Sequence, residues 1–215
     1  MLIPITVSKY VKQQKIVCQQ IGRVPVIWVL IALNLISWFA VAWLYRLPPF
    51  KAHNSYLLLR VGAANGDLLL AGEWWRVITS QYLHVYFPHL VFNMAALLFL
   101  GSALERAFGS LRFALLYVIS GSVGQIVGIV AAPTLVSSGA SQAVMGVAGA
   151  TAIALLRARA TGAILFIVLL CVIGIQVGLD IIVARTVKAG HWSGLAAGVV
   201  VGYMCSWHTR GHSYN

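Results

Sequence analysis

Four side chains in this sequence are of the types that carry out acyl transfer together: Ser141, His191, His89 and Asn93. A serine hydroxyl attacks a carbonyl poorly unless a base takes its proton as the bond forms, and a neutral imidazole such as that of His191 suits this task at neutral pH. The tetrahedral oxyanion then needs donors placed in advance. The Asn93 amide, a ring N–H of His89 and the backbone N–H of Ser141 at a helix start are candidates. His89 and Asn93 are four residues apart, so in a helix they share a face. Taken singly, each group has an ordinary explanation: a helix serine bonds to its own carbonyls, and a histidine caps a helix or packs between helices. What decides between the readings is whether the chain brings all four to one place.

The elements available to position them are membrane helices. Of the 215 residues, 60% are hydrophobic and only 9% charged, with a mean hydropathy of +0.90, which points to an all-α polytopic membrane protein. Apolar runs of about 20 residues match the roughly 30 Å of a bilayer core and argue against a barrel of short alternating strands. Six spans are expected, at 24–45, 87–107, 111–132, 139–156, 162–184 and 190–207, forming one membrane domain over 24–208. A basic tail, 1–23, precedes them and a short tail, 209–215, follows. The connection 46–79 is too polar to span and too rich in tryptophan for a free linker. It is expected to fold against the bundle and dip into the interface, anchored by Trp74 and Trp75.

The formal charge of +11 is spread over segment ends and loops rather than gathered in a stripe, so membrane-surface charge explains it and nucleic acid does not. With a cytoplasmic N-terminus, nine Lys and Arg residues lie inside and six outside, which favours both termini inside. The second, fourth and sixth spans then all run inward, and His89, Asn93, Ser141 and His191 all fall in the first turns of those spans, at one depth. Glycines at 146, 149, 194 and 198 would let the fourth and sixth spans pack closely enough for Ser141 to meet His191. Asp180 is the only acid near that depth, and a Ser-His dyad is preferred over a triad. Glu105 with Arg106 reads as an inner-surface pair. The three cysteines, Cys18, Cys171 and Cys205, have no CxxC spacing, so they read as free thiols with no metal site. The sequence shows no cleavable signal, and with no large extra domain this points to a prokaryotic inner membrane.

Several segments together resemble the rhomboid intramembrane serine proteases. Glu73-Trp74-Trp75-Arg76 is similar to the Trp-Arg motif of that family's first loop, and His84 with His89-Leu90-Val91-Phe92-Asn93 to its His and Asn signature. Gly139-Ala140-Ser141, followed by Gly146 and Gly149, resembles the nucleophile segment, and Gly190-His191-Trp192-Ser193-Gly194 the segment of the base. The resemblance implies a six-helix core with a first loop partly in the membrane, Ser141 as nucleophile, His191 as general base, and His89 with Asn93 beside the oxyanion. It implies single-span membrane proteins as substrates, cut in or near their transmembrane segment, and no cofactor or metal. Two positions depart from the pattern. Gln142 stands where the family has Gly, where it would either crowd the oxyanion region or donate a further hydrogen bond, and Met145 stands where an aromatic residue is usual. The Gln142 departure motivates an alternative, a weak or inactive rhomboid-like protein that binds membrane clients. A small transporter lined by His89, Asn93, Gln125 and Gln176 lacks the paired broken helices expected of one.

Overall fold

A computed structural model describes residues 24–48, 50–158, 163–182 and 188–208. The tails 1–23 and 209–215, with Cys18, lie outside the described residues. The chain is an all-helical polytopic membrane protein. Helix α1 (Pro25–Leu44) starts on a proline, whose missing N–H costs nothing in a first turn. Its buried residues Ile27, Leu30, Asn34, Trp38 and Val41 recur every three or four positions and face the bundle. The opposite face is no more polar: Trp28, Ile36, Phe39 and Trp43 are exposed, as suits a helix whose outer solvent is lipid.

Three short helices fill the first connection: α2 (Ser55–Val61), α3 (Gly66–Leu70) and α4 (Arg76–Thr79), the last running into a 3₁₀ turn at Ser80–Tyr82. Asn54 and Asn65 cap α2 and α3 through side-chain oxygens that accept from Tyr56 N and Leu68 N. Helix α5 (Phe87–Phe108) begins with Phe87 and Pro88 and contains a π turn at Leu97–Gly101. There α1, α5 and α6 (Ser110–Ala131) converge: a Cβ on Gly101 would lie 2.5 Å from Ile27 Cδ1 and 3.2 Å from Phe113 Cζ. Helices α7 (Ser141–Ala158), α8 (Ala163–Ile182) and α9 (Lys188–His208) complete the body. Helices α1, α5, α6 and α8 are each long and apolar enough to cross a membrane, while α7 is shorter.

Helix α7 is the centre of the molecule. Every residue from 140 through 151 is buried, and α6 and α9 flank it. Small residues make this possible, because between membrane helices close backbone approach and dispersion replace the hydrophobic drive. A Cβ on Gly198 would fall inside the Gly146 carbonyl, one on Gly194 inside that of Gln142, and one on Gly202 would lie 2.7 Å from Ala150 Cα.

One expectation is overturned here. Glu105 does not form an inner-surface pair with Arg106 but is buried, and its two carboxylate oxygens accept from Val26 N and Ile27 N, each at 3.0 Å. Those are the orphan N–H groups of the first turn of α1, where a negative charge also meets the positive end of the helix dipole. Ser110 Oγ donates to the same carboxylate at 2.6 Å. Arg106 stays exposed. Cys171 and Cys205 are free thiols.

Candidate active site

The first connection is built around Arg76. Its guanidinium donates to the carbonyls of Leu59 at 2.6 Å and Ala63 at 2.8 Å, pairs with Glu73 at 2.8 Å, and stacks over the Trp75 ring. Trp74 and Trp75 keep about half of their surface exposed. The connection in turn holds the segment that precedes α7. Ala64 and Ser137 form an isolated antiparallel bridge, Gly66 N donates to Pro133 O, and Gly139 N donates to Ser80 O at 2.9 Å. Gly139 adopts φ +115°, a conformation that side-chain-bearing residues rarely accept, and this turn delivers Ser141 to the first position of α7.

Ser141 and His191, fifty residues apart, meet there, with Ser141 Oγ 2.9 Å from His191 Nε2. Both are nearly inaccessible, at 2% and 5% of their surface. The far side of the imidazole differs from expectation. A dyad without a carboxylate was preferred, yet Asp180 Oδ1 and Oδ2 lie 2.9 and 3.0 Å from His191 Nδ1. Gln176, one turn earlier on α8, donates from Nε2 to Asp180 Oδ1 at 3.2 Å. The two are four residues apart and so share one face, which α8 turns toward the first turn of α9. Asp180 is the one acid whose depth could have brought it to the base, and its four-residue spacing from Gln176 was the signal for that pairing.

His84, His89 and Asn93 form a second group against the Gly139 turn. His84 Nε2 accepts from Ala140 N at 3.4 Å and lies 3.2 Å from Asn93 Nδ2. A backbone N–H can only donate, so Nε2 holds the lone pair, the proton sits on Nδ1, and Asn93 presents its NH₂ to His84. Complete burial, reinforced by the charge of His89, holds the His84 imidazole well below the usual histidine range, so it is neutral and able to accept. His89 stands edge-on to His84, with ring centroids 5.3 Å apart, and remains partly exposed. Its Cε1 lies against the backbone of Gly139, 3.0 Å from where a Cβ would sit. Asn93 is fully buried and commits one amide N–H to His84. His84 is the residue that ties Asn93 to the turn before Ser141.

Gln142 occupies a slot made for it. A Cβ on Gly124 would lie 2.5 Å from Gln142 Cβ, and one on Gly190 would lie 3.4 Å from its Cγ. Its Oε1 is 3.3 Å from Ser141 Oγ and 3.5 Å from Gln125 Nε2, and its Nε2 donates to Ser137 Oγ at 3.4 Å. Gln125 is pinned by Ser137 Oγ on its oxygen and the Gly139 carbonyl on its nitrogen. With Gln125 so oriented, flipping the Gln142 amide would set two NH₂ groups against each other. Gln142 therefore shows Ser141 an acceptor rather than a donor, and its side chain leans toward α6. Met145 is buried in α7.

Comparison with known proteins follows the same residues. A family profile, the Rhomboid domain, matches residues 71–208. The Bacillus subtilis (strain 168) protein named Rhomboid protease GluP is 38% identical over 152 residues, which cover 67% of this chain and 29% of that protein. RHOMBOID-like protein 5 of Arabidopsis thaliana is 34% identical over 154 residues, 68% of this chain and 49% of that protein. The chain thus spans less than half the length of these two. Putative rhomboid protease YdcA of the same Bacillus is 34% identical over 184 residues, covering 84% of this chain and 88% of that one. Matched over most of its helical body, through the Arg76 connection, the Ser141 turn and the His191 helix alike, this chain belongs to the rhomboid family.

Proposed function

We propose that the protein is an intramembrane serine endopeptidase that cuts single-span membrane proteins in or near their transmembrane segment. The observation that carries the reading is the 2.9 Å approach of Ser141 Oγ to His191 Nε2 within a body of apolar helices. His191 takes the hydroxyl proton as Ser141 attacks the scissile carbonyl. The resulting oxyanion is met by the Ser141 backbone N–H, the His89 ring and the Asn93 amide. His191 then protonates the departing amine, and water activated by the same imidazole releases the acyl enzyme. Only an unwound, extended segment exposes its carbonyl, so cleavage favours small or helix-breaking residues. We place the protein in a prokaryotic inner membrane with six crossing helices, 1–23 and 209–215 on the cytoplasmic side and Trp74 and Trp75 at the interface. The test is incubation of purified protein with a model single-span substrate beside Ser141→Ala and His191→Ala. Wild-type cleavage lost in both variants supports the reading; equal products from all three would end it.

A second reading, a client-binding protein with a weak or silent site, draws on Gln142 Oε1 as a competing acceptor for the Ser141 hydroxyl. Labelling of Ser141 by a fluorophosphonate probe, abolished by His191→Ala, would exclude it.

A further inference from the structure

We infer that Asp180, steadied by Gln176, is a positioning residue that sets the tautomer of His191 and stabilises its protonated form, making the site a Ser-His-Asp array. The inference rests on the protease reading for its kinetic consequence but not for its structural one.

The carboxylate of Asp180 can only accept, and both of its oxygens face the same ring nitrogen at 2.9 and 3.0 Å. Nδ1 must therefore carry the proton, which leaves the lone pair on Nε2, the nitrogen that faces Ser141 Oγ. Without that partner the imidazole is free to place its proton on Nε2, where it cannot accept one from serine. The amide of Gln176 lies 3.1 Å from Nδ1 and 3.2 Å from Asp180 Oδ1. With Nδ1 protonated, its N–H goes to the carboxylate, fixing the rotation of the Asp180 side chain.

During acylation the proton moves from Ser141 Oγ to His191 Nε2 as the Oγ–C bond forms, and from Nε2 to the leaving amine as the C–N bond breaks. Asp180 remains ionised throughout. An imidazolium in a site only 5% exposed would otherwise lack compensation for lost water. Among the described residues, His89 from α5 is the other titratable group that acts on His191, and as a cation it would oppose that charge. Lys188, on α9 itself, is exposed, and α7 contributes only the Ser141 hydroxyl and the Gln142 amide.

Asp180→Asn keeps the shape but can donate to Nδ1, driving the proton onto Nε2. Turnover is expected to fall by roughly 10²-fold or more, since general-base catalysis is worth about 10²- to 10⁴-fold. The loss should fall on kcat with KM little changed, and Asp180→Glu should partly restore kcat. A residue with a merely structural role would lower the thermal melt along with the rate, and the longer carboxylate would not rescue it. If Asp180→Asn matches wild type in kcat while Ser141→Ala is dead, the inference fails and the protease reading stands. An independent arm needs no turnover: ¹⁵N NMR of histidine-labelled wild-type protein, with His191 assigned against His191→Gln. A protonated Nδ1 in the neutral ring supports the inference; a protonated Nε2 overturns it, whatever the cleavage assay gives.

Discussion

The contact between α7 and α9 allows a single methyl group to be followed to the site. A Cβ added at Gly194 would fall inside the Gln142 carbonyl and lie 3.0 Å from its carbonyl carbon, so Gly194→Ala forces the two backbones apart. Ordinary contact lies near 3.4 Å or beyond, and relieving the overlap takes on the order of 1 Å, with a typical overpacking cost of about 1–3 kcal/mol. Gln142 adjoins Ser141 and Gly194 is one turn from His191, so most of that displacement appears at the site. The 2.9 Å separation of Ser141 Oγ and His191 Nε2 would then lengthen past hydrogen-bonding range. A misplacement of about 1 Å can cost about 10²-fold in rate. Gly174→Ala is the control, because a Cβ there meets nothing within 4 Å. It should leave cleavage unchanged and raise the melting temperature slightly, through a helix-propensity gain of up to about 1 kcal/mol. Both variants are compared in detergent by rate of substrate cleavage, rate of fluorophosphonate labelling and thermal melt. Wild-type rates for Gly194→Ala would refute the idea that backbone contact sets the Ser141–His191 distance.

Three further outcomes are expected. Gln142→Ala removes the second acceptor near Ser141 Oγ, and at about 0.5–1.5 kcal/mol for one hydrogen bond should speed fluorophosphonate labelling roughly two- to tenfold. Unchanged or slower labelling would show that the amide does not compete. Arg76→Ala strips the carbonyls of Leu59 and Ala63 of a charged donor and should destabilise the protein by about 3 kcal/mol or more, measured by thermal melt. Arg76→Lys should recover only part, because a single ammonium cannot reproduce the fork and the stack on Trp75. His84 is held neutral by burial, so its folded pKa lies below the unfolded one and the unfolded chain binds the proton first. Stability should therefore be full above about pH 6.5 and fall as pH drops below it, by up to about 1.4 kcal/mol per pH unit for this group. His84→Gln should flatten that slope in melts between pH 7 and 5; an unchanged slope would assign it elsewhere.

The sequence carries the fold class openly because lipid demands long apolar runs, and prolines such as Pro25 and Pro133 punctuate them where the chain turns. Alternation of helix direction can place Ser141 and His191 at one depth, but it has no means of supplying a distance. That comes from glycines whose spacing on α7 and α9 is visible while their register is not. Glu105 was misread because its partners, Val26 N and Ile27 N, are backbone groups nearly eighty residues away and leave no trace in side-chain patterning. Asp180 was underweighted because the rotation of α8 that aims it at His191 is marked only by Gln176 one turn earlier, among residues that are otherwise apolar. Gln142 stood out as a departure, but its accommodation depends on Gly124 and Gly190, which belong to two other helices.

The seating of α9 on α7 also bears on how the molecule is made. Membrane helices enter the bilayer first and assemble laterally afterwards. Ser141 is inserted with α7, whereas His191 arrives two helices later and reaches the serine only when Gly194 and Gly198 settle onto the backbone of Gln142 and Gly146. On the protease reading, a nascent chain halted before that step would hold a hydroxyl without a base and would be inert toward the membrane proteins inserted beside it.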